Sequence, residues 1–365
     1  MIENKTIFIA HNWWQTSVSR QSVELAKFFS IRNRVVFFNA KKRGLPEDRL
    51  SESLTVVEWP GKRPVTFSDL LFAIKMARRY TPDIIITNFG ANNIMLFVSW
   101  LFGVKIRMAY YHTMVSQYIA DKGTLGLQQR FNIRVKRFFF KKATHMLCPS
   151  SAAKKDLLQY YKVDSSKAIV IANALQGSPF INQGKNNLAI GFIGRLNKSK
   201  GVDILINAFI HLQKQIPALK LYIVGSGEEQ APLQHIVAAA GLQDNVIFKG
   251  SINNELIFDF LASVNFLVVP SRMDNLPTVV LEAFSAATPV IGSNSGGIPD
   301  MVQDKHNGLL FEKENIIDLC EKMKILVVDD ALRNTMAQNA LSTFNNKYSI
   351  VNLPQRFEAL LETKH

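Results

Sequence analysis

Late in the chain two carboxylates stand eight positions apart, Asp274 and Glu282, inside the stretch SRMDNLPTVVLEA that covers residues 271–283. Pro277 suits the first position of a helix, with Asp274 or Asn275 near its cap. A helix begun there directs the backbone N–H groups of Thr278 and Val279 outward, and such groups bind anions. Glu282 falls one turn further on, in a run that is otherwise apolar from Val279 to Ala287. A buried carboxylate needs a partner or pays a large desolvation penalty. The plain alternative, a capping Asp and an exposed helical Glu, explains the first residue and leaves the second unexplained.

Two other stretches carry comparable chemistry. In GRLNKSKGVD, Arg195 and Lys200 flank a short loop that opens a helix at Gly201, and two cations beside a helix N-terminus suit a diphosphate. A solvated basic loop has the same composition. In GSGEEQAPL, Gly225 and Gly227 permit a tight strand-to-helix turn, and Glu228 and Glu229 suit a first helical turn. That spacing is not a dinucleotide fingerprint, and a structural turn accounts for it.

The elements that must position these residues follow from hydrophobic patterning. Apolar, β-branched runs at 6–10, 34–39, 83–88, 106–112, 145–150 and 168–173 read as strands, and a second series runs through 188–194, 219–225, 245–250, 264–271 and 288–293. Continuous apolar runs suit strands buried on both faces of a parallel sheet. Helical segments alternate with them; Val202, Leu205, Ile206, Phe209 and Leu212 repeat at helical spacing. The alternation indicates βαβ units, and ligands of such sheets bind beyond the carboxyl ends of the strands. The polar, Gly- and Pro-bearing stretch 175–187 reads as a linker. The expectation is two Rossmann-like α/β domains facing each other across a cleft, at 1–175 and 188–345, with a final helix at 346–365.

Composition narrows the classes. The chain has 365 residues, 47% hydrophobic and 20% charged, which is globular and long enough for two cores. A net charge of +14 speaks for an anionic partner. Cys148 and Cys320 show no metal-ligand spacing, and a reduced, cytoplasmic setting is expected. The N-terminus lacks a signal-peptide pattern, and the longest apolar run, 94–104, falls well short of the ~20 residues that span a bilayer.

Residues 188–310 resemble the catalytic half of the retaining glycosyltransferases of the GT4 family, glycosyl transferases group 1, which have a GT-B fold. The matching pieces are GFIGRLNKSKGVDILINAF, LYIVGSGEEQAPL, VIFKGSI and PSRMDNLPTVVLEAFSAATPVIGSNSGGIPDMV, in that order. The family's pair of Glu residues separated by seven corresponds to Asp274 and Glu282, with an Asp in the first place. The resemblance implies that Arg195 and Lys200 hold the donor diphosphate beside Gly194, and that Asp274 faces the donor sugar. It implies that Glu282 binds the ribose, that Asn275, Leu276, Pro277, Thr278 and Val279 contact sugar and phosphate, and that Gly250 and Ser251 lie beside the base. The donor is expected to be UDP- or GDP-linked. No cofactor or metal is expected, and the chain has no Asp-x-Asp motif.

The first half carries the expected acceptor side, for a glycan or a lipid-linked acceptor. Its first loop holds His11, Trp13, Trp14 and Arg20, and indoles stack on sugars or fill cores equally well. His112 ends a strand where the family often carries a His near the reacting sugar. Arg130, Arg134, Lys136, Arg137, Lys141 and Lys142 interleave with Phe131, Phe138, Phe139 and Phe140, the composition of a helix lying on an anionic membrane surface. A nucleotide-sugar epimerase or hydrolase on the same fold is the nearest rival. Nucleic acid is not expected as a partner, since no recognised nucleic-acid motif is present.

Overall fold

In the computed structural model, residues 2–11, 17–39, 52–61, 65–179 and 188–362 are described. Contacts divide the chain into two units, one of Met1–Val115, Thr124–Gln176 and Ile350–His365, the other of Ser116–Gly123 and Gly177–Ser349.

The first half of the chain runs β1 (Thr6–Ala10), α1 (Ser17–Phe29), β2 (Arg34–Asn39), β3 (Leu54–Glu58), α2 (Phe67–Tyr80), β4 (Ile84–Thr87), α3 (Asn92–Leu101), β5 (Ile106–Tyr110), α4 (Val115–Lys122), α5 (Leu127–Phe140), β6 (His145–Cys148), α6 (Ser151–Tyr161) and β7 (Ala168–Val170). Its seven strands form one sheet in the order β3-β2-β1-β4-β5-β6-β7, every pair parallel. The strand order reverses at β1, which pairs with β2 on one edge and with β4 on the other (Ala10 beside both Phe38 and Thr87). The apolar runs are buried, as a sheet covered on both faces requires: Ile7, Phe8, Ile9 and Ala10 are at most 2% exposed.

The second half runs β8 (Ala189–Ile193), α7 (Val202–Gln213), β9 (Lys220–Val224), α8 (Gln230–Ala239), β10 (Val246–Gly250), α9 (Ile257–Ser263), β11 (Phe266–Val269), α10 (Thr278–Ser285), β12 (Val290–Ser293), β13 (Gly308–Phe311), α11 (Ile316–Val328), α12 (Asp330–Thr343) and, last, α13 (Leu353–Glu362). Strands β8 to β13 form a parallel sheet ordered β10-β9-β8-β11-β12-β13, reversing between β8 and β11.

Patterning located eleven of these strands, several with ends one to three residues too long, and missed β3 and β13. Both are outermost strands, short and with polar or glycine residues among the apolar ones, so periodicity marks them weakly. Residues 116–123 cluster with the second unit, although residues 124–176, which follow them in sequence, belong to the first.

Helix α13 is amphipathic and buries Leu353, Phe357 and Leu361 in the core of the first unit, with Phe357 6.3 Å from the Tyr110 ring. Arg356 adds a hydrogen bond to the Ala172 carbonyl. Phe357 is fully buried, so Phe357→Ala is expected to lower stability by about 3–5 kcal/mol. Urea unfolding of the first unit's transition checks this.

Candidate active site

The reversal of strand order between β8 and β11 brings two loops together, and Arg195, Lys200 and Asp274 lie on them, with Glu282 in the helix that follows the second. Residues 194–201 follow β8 and residues 270–277 follow β11. Lys200 Nζ forms an ion pair with Asp274 Oδ2, and both side chains are largely buried, at 17% and 9% exposure. Each charge is desolvated, so the pairing is obligatory: removing either partner strands the other.

The loops are held by more than this pair. Arg272 donates through both terminal nitrogens to the Asp203 carboxylate at 2.7 and 2.8 Å, and through Nε to Glu314 at 2.7 Å. Its Nη1 also reaches the Lys198 carbonyl at 2.9 Å, and its backbone N–H donates to Ser199 O at 2.7 Å. Burial raises the Asp203 carboxyl, but the Arg272 hydrogen bonds and charge outweigh it and hold the group below its usual value. The hydrogen bonds Arg272 donates to Asp203 and to Glu314 push it the other way, upward, so the fork stays charged. On the far side of the loop, Asp121 of α4 accepts from Ser199 N at 2.9 Å.

Asp274 itself sits against a glycine turn. Gly297 N donates to Asp274 O at 2.9 Å, and Gly296 is left-handed, with φ +59°. A Cβ at Gly296 would lie inside contact distance of the Asp274 carbonyl. The Asp274 carboxylate accepts from Asn275 N at 2.9 Å and from Lys200, so it is not the cap of α10. That cap is Pro277, one position before the helix rather than its first residue, and no side chain caps it. The N–H groups of Thr278 and Val279 are therefore left to a ligand or solvent.

Glu282 is 9% exposed in a helix where Val280 to Ser285 are all buried. The exposed-helix reading of Glu282 is thereby excluded. Asn275, Leu276 and Pro277 are buried, whereas Thr278 and Val279 are half-buried. Arg195 is exposed beside the fully buried Leu196. Gly194 N donates to Val224 O at 3.0 Å, and Gly225, with φ +133°, lies so close to the Gly194 carbonyl that no side chain fits there. Gly250 ends β10, and Ser251 is exposed and hydrogen-bonds Ser226 Oγ at 2.9 Å.

In the first unit, His11 follows β1, Asn88 and Phe89 follow β4, and His112 lies just beyond β5, again where the strand order reverses. His112 Nε2 donates to Asn88 Oδ1 at 2.8 Å, which assigns the acceptor role to Nδ1. The ring lies between Tyr110 at 4.9 Å and Phe89 at 4.4 Å, nearly parallel to both. His11 is buried and 5.4 Å from Phe89. Burial first, then His11, pushes the His112 imidazole down to about 3, so it is neutral near pH 7. Asp156 fixes the following loop by accepting from Tyr111 Oη and from Val115 N at 3.0 Å. Phe89 combines 52% exposure with a left-handed φ of +47°, an uncommon backbone state for a bulky residue.

Arg20 is exposed and donates to Gln176 at 2.6 Å; Trp13 and Trp14 lie outside the described residues. Of the basic residues in α5 and just after it, Arg130, Arg134 and Lys141 are exposed, and Arg137 and Lys142 are half-buried. Lys136 stands on the opposite side of the helix from Phe131 and Phe138; although it reaches solvent, surrounding chain lowers its pKa. Patterning did not single out Arg272, Asp203, Asn88 or Phe89. Their partners lie 69, 69, 24 and 23 positions away, beyond the reach of local spacing. Cys148 and Cys320 are buried free thiols.

Two parallel α/β sheets, each with polar residues gathered where its strand order reverses, define a two-domain GT-B protein. Residues 178–343 match the family of glycosyl transferases group 1, and residues 18–176 match glycosyltransferase family 4. The chain belongs to this glycosyltransferase family. It is 32% identical to an uncharacterized glycosyltransferase of Methanocaldococcus jannaschii over 58% of this chain and 59% of that protein. It is 27% identical to the Staphylococcus aureus capsular polysaccharide biosynthesis glycosyltransferase CapM, over 49% of this chain and 47% of that one. The chain thus spans between two fifths and three fifths of the length of such relatives. Among solved structures, Anabaena HepE in complex with UDP and glucose superposes with a TM-score of 0.76, at 20% identity, over 99% of this chain and all of that one.

Two outcomes follow from the geometry. Gly296→Ala should destabilise the second unit by about 2 kcal/mol or more, because a left-handed Ala carries strain and its Cβ displaces the Asp274 backbone; chemical denaturation measures it. For His112, the folded value of about 3 lies below the ordinary 6.5. The unfolded chain therefore binds the proton first as pH falls. Stability is intact above pH 6.5 and drains as pH drops from there toward 3. His112→Gln should show a shallower fall in melting temperature over that window than the native chain.

Proposed function

We propose that the protein transfers a sugar from a UDP- or GDP-linked donor to a glycan or lipid-linked acceptor, with retention at the anomeric carbon and without a metal. Cell-surface polysaccharide or glycolipid synthesis at the inner face of a membrane is the setting that fits. The observation that carries the reading is the buried Lys200–Asp274 pair at the reversal point of the second sheet, directly before a helix whose first N–H groups have no side-chain cap.

An ammonium has three N–H donors, so Lys200 keeps Asp274 and still donates to a donor phosphate. Arg195, exposed on the same loop, adds a second cation. Together with the N-terminus of α10 they neutralise charge as the diphosphate departs, the task a metal performs elsewhere. Asp274, paired and fixed by the Gly296 turn, accepts from sugar hydroxyls, and Glu282 accepts from the ribose. Gly250 and Ser251 flank the base. In the transfer itself, the bond between C1 and the phosphate oxygen breaks with its electron pair going to phosphate. The acceptor oxygen bonds C1 on the same face, and its proton passes to the departing phosphate. Asn88, Phe89, His11 and the neutral His112 offer a ring face and hydrogen-bonding groups suited to an uncharged sugar, and Trp13, Trp14 and Arg20 are the remaining acceptor candidates.

The deciding experiment incubates the purified chain with a panel of nucleotide sugars, with and without acceptor glycans, and follows products by NMR. A new glycosidic bond of the donor's anomeric configuration supports the reading. Epimerised or hydrolysed donor at equal rates with and without acceptor replaces it by the rival. Lys200→Ala should lower kcat by about 10²–10³-fold, while Glu282→Gln should mainly weaken nucleotide binding, by about one to two powers of ten. Steady-state kinetics and calorimetry separate the two effects, and wild-type values in both variants would remove the assignments.

A further inference from the structure

Between residues 84 and 155 the sequence has eleven Lys and Arg and a single acid, Asp121, so this stretch alone holds ten of the fourteen excess positive charges. The donor loops lie elsewhere, at 194–201 and 270–277, and do not explain it.

Helix α5 shows where much of this charge goes. It contains no acid. At 100° per residue, Leu127, Phe131, Arg134 and Phe138 fall within one narrow stripe, bordered by Arg130 and Lys141. That stripe faces solvent: Leu127 is 87% exposed, Phe131 63% and Phe138 53%. The helix packs inward through Phe140, which is buried, and Phe139, edge-on to Phe97 of α3 at 6.2 Å, while Asn132 and Lys136 opposite the stripe are exposed and polar. The C-terminal end of α3 continues the same surface. Trp100 and Leu101 are 44% and 57% exposed there, and Lys142 Nζ sits 3.5 Å above the Trp100 ring and 5.1 Å from that of Phe138. Large apolar side chains on one contiguous exposed patch signal an interaction surface.

We propose that this surface, the solvent face of α5 with the end of α3, seats the protein on an anionic bilayer. The apolar side chains enter the headgroup region, Trp100 takes the interfacial position, and Arg130, Arg134 and Lys141 meet lipid phosphates. Other occupants fit less well. A second copy would bring like charges face to face. A nucleic acid would satisfy the cations and stack on the rings, yet leave the aliphatic Leu127 and Leu101 without a partner. Among the described residues no helix is long and apolar enough to cross a membrane, so the contact is a surface one. It uses none of the donor-site residues and stands apart from the proposed reaction.

The test is co-sedimentation of the full chain with vesicles of phosphatidylcholine alone or with about one third phosphatidylglycerol. Binding is expected to the anionic vesicles only. Arg130→Gln, Arg134→Gln and Lys141→Gln combined should reduce partitioning on the order of a hundredfold. Leu127→Ser with Phe131→Ser should reduce it tenfold or more at unchanged charge. All five positions are exposed, and an unchanged melting temperature confirms folding. Independently of these variants, brominated lipid should quench native emission more than that of Trp100→Phe. The proposal falls if the native chain ignores anionic vesicles, if either variant binds as the native chain does, or if the Trp100 component is not quenched. Salt-steep binding to an RNA oligonucleotide without vesicle binding would assign the surface to nucleic acid instead, and concentration-dependent dimerisation lost in the Leu127/Phe131 variant would assign it to a second copy.

Discussion

The ion pair between Lys200 and Asp274 constrains everything around it. Both groups are removed from water, and an ion pair in that position is tolerated only when its geometry is fixed and its remaining hydrogen-bonding groups are met. The second unit provides this through backbone as much as through side chains. The Gly296–Gly297 turn grips the Asp274 main chain, and Arg272 binds the Lys198–Ser199 segment to its own loop and to Asp203 of α7. The parallel sheet supplies the remaining condition. Only where β8 and β11 are neighbours with helices leaving in opposite senses do these two loops come within side-chain reach.

Much of this was legible in the sequence, for reasons that differ by residue. The strands are continuous apolar runs, and β-branched composition identifies such runs even at the sheet edges β7 and β10; β3 and β13, short and mixed, leave little signal. Glu282 was conspicuous because a charge inside an apolar helix is costly, and its burial bears out that argument. Asp274 was conspicuous for the wrong local reason. Its position before a helix suggests a cap, yet its carboxylate turns toward a lysine 74 positions away. Long-range pairing also hid Arg272 and Asp203, which in sequence are an ordinary loop arginine and an ordinary first-turn acid.

The two sheets offer different chemistry at corresponding places. The second gathers formal charge: a lysine, an arginine fork and the carboxylates of Asp203, Asp274, Glu282 and Glu314. The first gathers rings and amides: His112 held neutral between Tyr110 and Phe89, with Asn88 fixing its proton. A neutral imidazole has little to offer a phosphate and much to offer a hydroxyl. The left-handed Phe89 sharpens the contrast, because an exposed ring held in an unfavourable backbone state is strain that surrounding structure must sustain.

The distribution of charge alters what the composition means. A net charge of +14 suggests at first a large demand for phosphate binding at the donor site. The loops that carry Lys200 and Asp274, however, use few cations, and Arg272 among them is spent on Asp203 and Glu314. Most of the excess lies in residues 84–155, and part of it is displayed on α5 around exposed leucine and phenylalanine. Cations placed to bind a small anion converge on a point and are partly buried; those on α5 are spread along a helix with apolar side chains between them. That arrangement matches an extended surface that is both anionic and apolar. The excess charge and the buried Lys200–Asp274 pair are therefore separate features of this chain, carried by different elements.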